Sequence, residues 1–148
     1  MISEAIKKID EEMEGASSEI QILGNYVKNI LLTKEDNAVK ILAPNTDLET
    51  FMERLEDVAK DIVKGKYHKE AGEIGRLIIA KILGQEPENI PLNESIGKRV
   101  TQVKSTDAIG LTSEFILPLL HIYYGIDNTA QEEPKPKRRS FRAVSLDD

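Results

Sequence analysis

Apolar residues recur at every third or fourth position through most of this chain, a spacing that admits α-helices and little else. It is clearest between Leu48 and Val63, where Leu48, Phe51, Met52, Leu55, Ala59, Ile62 and Val63 fall on one stripe of a helix. Thr46 with Glu49 three residues later forms a capping-box pattern at its start, and Gly65 marks its end. The same spacing predicts a first helix bearing Ile2, Ile6, Ile9 and Met13, capped by Ser3 and stopped at Gly15. A second carries Ile20, Leu23, Val27, Ile30 and Leu31, capped by Ser17 or Ser18 and ending near Leu32. Thr33, with Asp36 at the capping spacing, opens a short third helix whose apolar face is Val39, Ile41 and Leu42, and Pro44 ends it.

Two segments are expected to be central: 69–83, apolar nearly all round in its second half, and 115–124, apolar on most sides. Ala71, Gly72 and Gly75 present small surfaces on the first of them. Glycine costs about 1 kcal/mol against alanine inside a helix, so two of them point to close approach by a neighbouring helix or to a strained helix start. The stretch 85–111 is broken by Pro87, Pro91 and Gly97, yet Asn93 can cap a short helix bearing Ile96, Val100 and Val103. Thr112 or Ser113 caps the last helix, Pro118 bends it or sets a later start, and Gly125 stops it.

A chain of 148 residues holds one sizeable core. With 31% charged and only 5% aromatic residues, it suits charge-laced helices better than sheets. The expected fold is all-α: a compact single-domain bundle of about six to seven helices over residues 1–126. Residues 127–148 contain too little apolar surface to offset the entropy of ordering, and are expected to be a disordered charged tail. Its end, Val144-Ser145-Leu146-Asp147-Asp148, reads as a short linear motif or a frayed linker. The start, Met1-Ile2-Ser3-Glu4, has no signal-peptide pattern and no apolar run reaches membrane length, so a cytoplasmic location without membrane contact is expected.

Cysteine is absent, which removes disulfides, thiolate nucleophiles and Cys-based metal sites. No phosphate-cradling glycine loop occurs, and Gly72-Glu73-Ile74-Gly75 carries an acid where a phosphate would be repelled. No Gly-x-Ser-x-Gly setting is present either. Of the two histidines, His68 reads as exposed and His121, between Leu120 and Ile122, as structural. The acidic side chains lack a Glu-x-x-His pattern that would mark a metal centre. No cofactor, no metal and no catalytic activity are expected.

Charge is more informative. The net charge is -6; residues 1–126 hold 15 Lys and Arg against 21 Asp and Glu, and the tail holds five of each. An acidic body repels a nucleic-acid backbone and suits a basic protein partner. Glu49, Glu53 and Glu56 share a helix face, as do Glu53, Asp57 and Asp61. With Glu11 and Glu12 of the first helix, Glu49, Glu53, Glu56 and Asp57 are the candidate partner-binding residues; a solvated face balanced by Lys60 and Lys64 is the plainer reading. Tyr26, Tyr67 and Phe141 are candidate aromatic anchors. The alternative is a nucleic-acid-binding accessory protein of conjugation or replication. It would use Lys98, Arg99 and Lys104, the one basic face of the body, and the tail residues Lys137, Arg138 and Arg139, with Lys135 and Arg142 beside them. A solubilising linker is the plainer role for that tail.

Several segments together resemble the PcfK-like group of small proteins from bacterial mobile elements and prophages, which includes a type II-A anti-CRISPR family. These are Glu11-Glu12-Met13, Leu23-Gly24-Asn25-Tyr26-Val27, Asn37-Ala38-Val39-Lys40-Ile41-Leu42, Leu111-Thr112-Ser113-Glu114, Ile122-Tyr123-Tyr124-Gly125-Ile126 and the tail end from Val144. They span about half of the chain, and residues 67–110 depart from the pattern. The resemblance implies a helical phage or mobile-element protein in a bacterial host cell. Its partner would be a type II CRISPR effector nuclease or that nuclease's guide-RNA complex, inhibited by direct binding and without catalytic residues.

Overall fold

The computed structural model describes residues 1–64, 70–103, 108–126 and 140–145. Among the described residues seven α-helices make up the body: α1 (Ile2–Met13), α2 (Ser18–Asn29), α3 (Glu35–Ile41), α4 (Leu48–Val63), α5 (Ala71–Leu83), α6 (Glu94–Val103) and α7 (Ser113–Tyr124). Short 3-10 turns at Leu31–Thr33 and Pro87–Asn89 join α2 to α3 and α5 to α6. No helix among the described residues is long and apolar enough to cross a membrane.

The helices pack round one apolar core whose hub is α4. Leu48, Phe51, Met52, Leu55, Val58, Ala59, Ile62 and Val63 are all buried, as the three-and-four spacing requires. Helix α7 is the second central element, with Phe115, Ile116, Leu117, Leu119 and Leu120 buried in succession. It runs through Pro118 from a start at Ser113. Helix α5, expected to share that central place from Lys69, begins at Ala71; besides Gly75 it buries Ile78, Ile79, Ala80 and Ile82 in its second half, where only Lys81 is exposed. Lys69 and Gly65 lie outside the described residues. The surplus apolar surface around Ile96 and Phe115 is taken up internally, at 4% and 1% exposed.

Helix starts differ from the sequence reading where another side chain wins the cap. Ser17 caps α2 as expected, accepting from the Ile20 amide. Asp47, not Thr46, caps α4: its Oδ1 accepts from Thr50 N at 2.7 Å, while the Thr46 hydroxyl donates to Ala43 O. A carboxylate is the stronger acceptor for an amide at the positive end of a helix. Helix α1 starts at Ile2, ahead of Ser3, and α3 starts after Lys34 because Thr33 Oγ1 donates backward to Ile30 O. Val39, read as part of the apolar face of α3, is 52% exposed, and Ala38 with Ile41 fills that role.

Close helix packing explains the glycines. A Cβ on Gly75 would run into Asn93 O, and one on Gly97 into Ala71 O, both well inside 3.0 Å. Helices α5 and α6 therefore meet main chain to main chain. Asn93 ties them, its N–H donating to Gly72 O at 3.1 Å while its Oδ1 caps α6 by accepting from Ile96 N at 3.0 Å. Gly84 ends α5 in the left-handed region, φ 68, and Arg54 of α4 donates to the adjacent carbonyl of Ile82 at 2.9 Å.

One element lies outside the all-helical expectation. Strand β1 (Ala108–Thr112) pairs antiparallel with β2 (Ser140–Ser145), in the register Ala108 to Ser145 through Leu111 to Arg142, with an irregularity before Thr112. The ribbon lies beside α4. So the segment read wholly as tail contributes six residues of strand, and the rest of 127–148 lies outside the described residues. Ser-Phe-Arg-Ala-Val-Ser has ordinary strand length but only Phe141 and Val144 are strand formers, so it does not register as a strand by itself; a partner distant in sequence supplies the pairing.

Candidate docking surface

Helix α4 is anchored on its inner side by eight buried residues, and this fixes what its outer side presents. Glu49, Glu53 and Asp57 step by four along it and are all exposed. Three such positions form a ridge about 12 Å long. None of the three makes an ion pair or hydrogen bond among the described residues. Their flanks are different: Glu56 pairs with Lys60 at 3.2 Å, and Asp61 with Lys81 of α5 at 3.8 Å. The charge expected from Glu56 is thus partly balanced, and the ridge narrows to Glu49, Glu53 and Asp57.

The two acids of α1 separate. Glu11 is exposed. Glu12 turns inward and serves the fold: its Oε1 accepts from Leu48 N at 2.8 Å, supplementing the Asp47 cap of α4, and Lys8 stands 3.8 Å from its Oε2. Burial raises the Glu12 carboxyl above the ordinary glutamate range, opposed by the Leu48 amide and the Lys8 ammonium. Glu12 is therefore corrected from docking residue to helix clamp. The clamp brings the last turn of α1 to the first turn of α4, so Glu11 and Glu49 each lie one residue from the joint.

More polar groups meet there than the sequence reading foresaw. Lys8 Nζ donates to the carbonyls of Ile41 and Thr46 and, at 3.3 Å, to Thr46 Oγ1. From α7, the Tyr123 hydroxyl donates to Asp47 O at 2.9 Å and accepts from Asp47 N at 3.0 Å. The hydroxyl of Tyr124 is buried beside them with no hydrogen-bond partner among the described residues. Burial raises both tyrosine hydroxyls, assisted by the nearby Asp47 and Glu12 carboxylates. The only sequence signal for this joint was the four-residue spacing of Lys8 and Glu12 at the edge of an apolar stripe.

The chain matches no protein-family model, no curated protein and no solved structure.

The remaining candidates are placed by the fold. His121 is 2% exposed; its Nε2 lies 2.7 Å from the Tyr26 hydroxyl, with the rings edge to face at 5.8 Å. Tyr26, a candidate anchor, is thereby engaged in the core, and burial pushes its hydroxyl up to about 12. Lys98 is exposed with Glu94 at 3.7 Å on the same helix, and Arg99 is half-buried, so the basic face of α6 is partly balanced. Lys104, Lys135, Lys137, Arg138, Arg139, His68 and Tyr67 lie outside the described residues. Among the described residues no group of three or more acidic or histidine side chains could hold a metal ion.

Proposed function

We propose that this chain is a phage or mobile-element protein that binds and inhibits a bacterial type II RNA-guided nuclease, using the acidic ridge of α4. The observation that carries the reading is the row of Glu49, Glu53 and Asp57, exposed and without an ion pair among the described residues, on a helix whose opposite side is fixed in the core. Such nucleases hold their heteroduplex in a positively charged channel. An acidic ridge on a rigid helix is complementary to that channel and repels the nucleic acid that would otherwise occupy it. The choice of nuclease comes from the resemblance of the segments around Met13, Tyr26, Lys40 and Tyr124 to the PcfK-like group.

Exposed charges steer association more than they add raw affinity, so charge reversal should act mainly on the association rate. The triple variant Glu49→Lys, Glu53→Lys, Asp57→Lys is expected to remain folded, losing about 1 kcal/mol because Glu49 sits in the first turn of α4, where a cation opposes the helix dipole. It should also slow association with a purified nuclease–guide complex about tenfold or more at low salt. Target cleavage is the second readout. Undiminished cleavage at saturating wild-type protein overturns the reading for that nuclease, and unchanged inhibition by the triple variant overturns the ridge.

A further inference from the structure

Strand β2 reaches β1 from the far side of residues 127–139, and beyond that pairing its neighbour is α4, the helix that carries the acidic ridge. The segment Lys135–Arg142 that leads into β2 contains five basic residues and no acid. Helix α4 between Leu48 and Val63 holds five acids, Glu49, Glu53, Glu56, Asp57 and Asp61, against Arg54 and Lys60. In the sequence, therefore, the most basic stretch of the chain runs into the strand that lies beside its most acidic helix. The pairing is also slight. A two-stranded ribbon is marginal without a supporting surface, and this one is six residues against five with an irregularity at one end. Its hydrogen bonds and its contact with α4 must offset the ordering of a terminal segment.

We propose that β2 is a displaceable internal mimic of the partner: it occupies the edge of β1 beside α4, and an extended basic segment of the partner binds by replacing it. This rests on the protein-binding reading above, but the strand pairing carries it; the charge specifies which kind of strand competes. The mode is strand addition, in which main-chain hydrogen bonds supply the binding and flanking side chains the selectivity.

The chain has no cysteine, so a staple can be placed without interference. Opposed pairs along an antiparallel ladder alternate in geometry, so two staples are needed: Ile109→Cys with Val144→Cys, and Ala108→Cys with Ser145→Cys, both on partnered positions of the register. A third full-length variant, Ala143→Pro, removes a ladder position opposite Gly110. The probe is a labelled synthetic peptide of residues 134–146 of this same chain, followed by fluorescence anisotropy, with helical circular dichroism as the folding control. The Pro variant is expected to bind the peptide at least tenfold more tightly than the wild type, with affinity falling as salt rises. The oxidised staple should not bind it, and reduction should restore wild-type binding. Equal binding by oxidised and reduced staples, or no gain in a folded Ala143→Pro, overturns the proposal; so does a staple that forms only between two molecules at low concentration. The peptide assay contains no nuclease, so its failure is separable from a failure of the inhibitor reading.

Discussion

The joint of α1, α4 and α7 is built from side chains, whereas the joint of α5 and α6 is built from main chain with the side chains taken away. At the first, Lys8, Glu12, Asp47 and Tyr123 reach between helices to satisfy amides and carbonyls at the start of α4. At the second, Gly75 and Gly97 leave room for Asn93 O and Ala71 O to come within touching distance of the opposing helix. The two joints have different tolerances. A side-chain joint survives a change of size and fails on loss of a donor or acceptor; the main-chain joint, whose one polar side chain here is the Asn93 cap of α6, fails on the addition of one methyl group.

The largest effect is expected at the glycines. Alanine is the better helix former by about 1 kcal/mol, so in an open helix Gly75→Ala or Gly97→Ala would stabilise. Here the added carbon meets a carbonyl oxygen of the neighbouring main chain, and an overpacked contact of that kind costs about 3 kcal/mol. A net loss of about 2 kcal/mol in urea unfolding is therefore expected for each. Gly72→Ala is the internal control, because its Cβ would meet only Leu92 at 3.4 Å, an ordinary contact. If Gly75→Ala is as stable as Gly72→Ala, the helices are not in main-chain contact and the contrast between the joints collapses.

Glu12 should come next. Glu12→Ala removes the acceptor for Leu48 N and leaves a part-buried donor unpaired, for about 1 to 2 kcal/mol. Glu12→Gln keeps an acceptor and removes the charge, so it isolates the electrostatic part. Burial raises the folded-state pKa above the unfolded value, and the native state therefore holds the proton more tightly. Stability from this group is fully present below the unfolded value, about pH 4.3, and is lost as pH rises through the raised folded value. Wild-type stability should accordingly fall relative to Glu12→Gln as pH rises from about 4 through the raised folded-state value. A constant difference across that window would mean that the Leu48 amide and Lys8 fully offset the burial.

The helical fold was legible because its signals are local: the apolar stripe of α4, the Ser17 and Asn93 caps and the small residues of α5 each act within a few positions of themselves. What escaped depends on distant partners. Glu12 and Glu11 are neighbours in sequence, and only the arrival of α4 thirty-six residues on makes one a clamp and leaves the other exposed. Asp47 won the cap over Thr46 by chemistry that spacing does not rank. Strand β2 is completed by β1, distant in sequence, and neither segment is rich enough in strand formers to announce a strand alone. The acidic ridge was half legible: Glu49, Glu53 and Asp57 follow from helical spacing, while the balancing of Glu56 and Asp61 required the positions of Lys60 and Lys81.

The smallest effects fall on two adjacent tyrosines of α7, which divide the side-chain joint into the part that holds and the part that does not. Tyr123 and Tyr124 are equally buried, at 6% and 5% exposed, and their rings pack edge to face at 5.2 Å. Among the described residues only Tyr123 has partners for its hydroxyl, bonding both the carbonyl and the amide of Asp47. Tyr123→Phe should therefore cost about 1 kcal/mol. Tyr124→Phe removes a buried hydroxyl that has no partner among the described residues, and should be neutral or stabilising by up to about 1 kcal/mol. Alkaline unfolding separates them further. Burial raises the folded-state pKa of Tyr124 well above that of a free tyrosine, so its contribution is intact below about pH 10 and lost as pH rises beyond it. Deleting that hydroxyl should shift the alkaline unfolding midpoint upward. A loss on Tyr124→Phe as large as that on Tyr123→Phe would show that the second hydroxyl is bonded too, and that the side-chain joint extends across both residues.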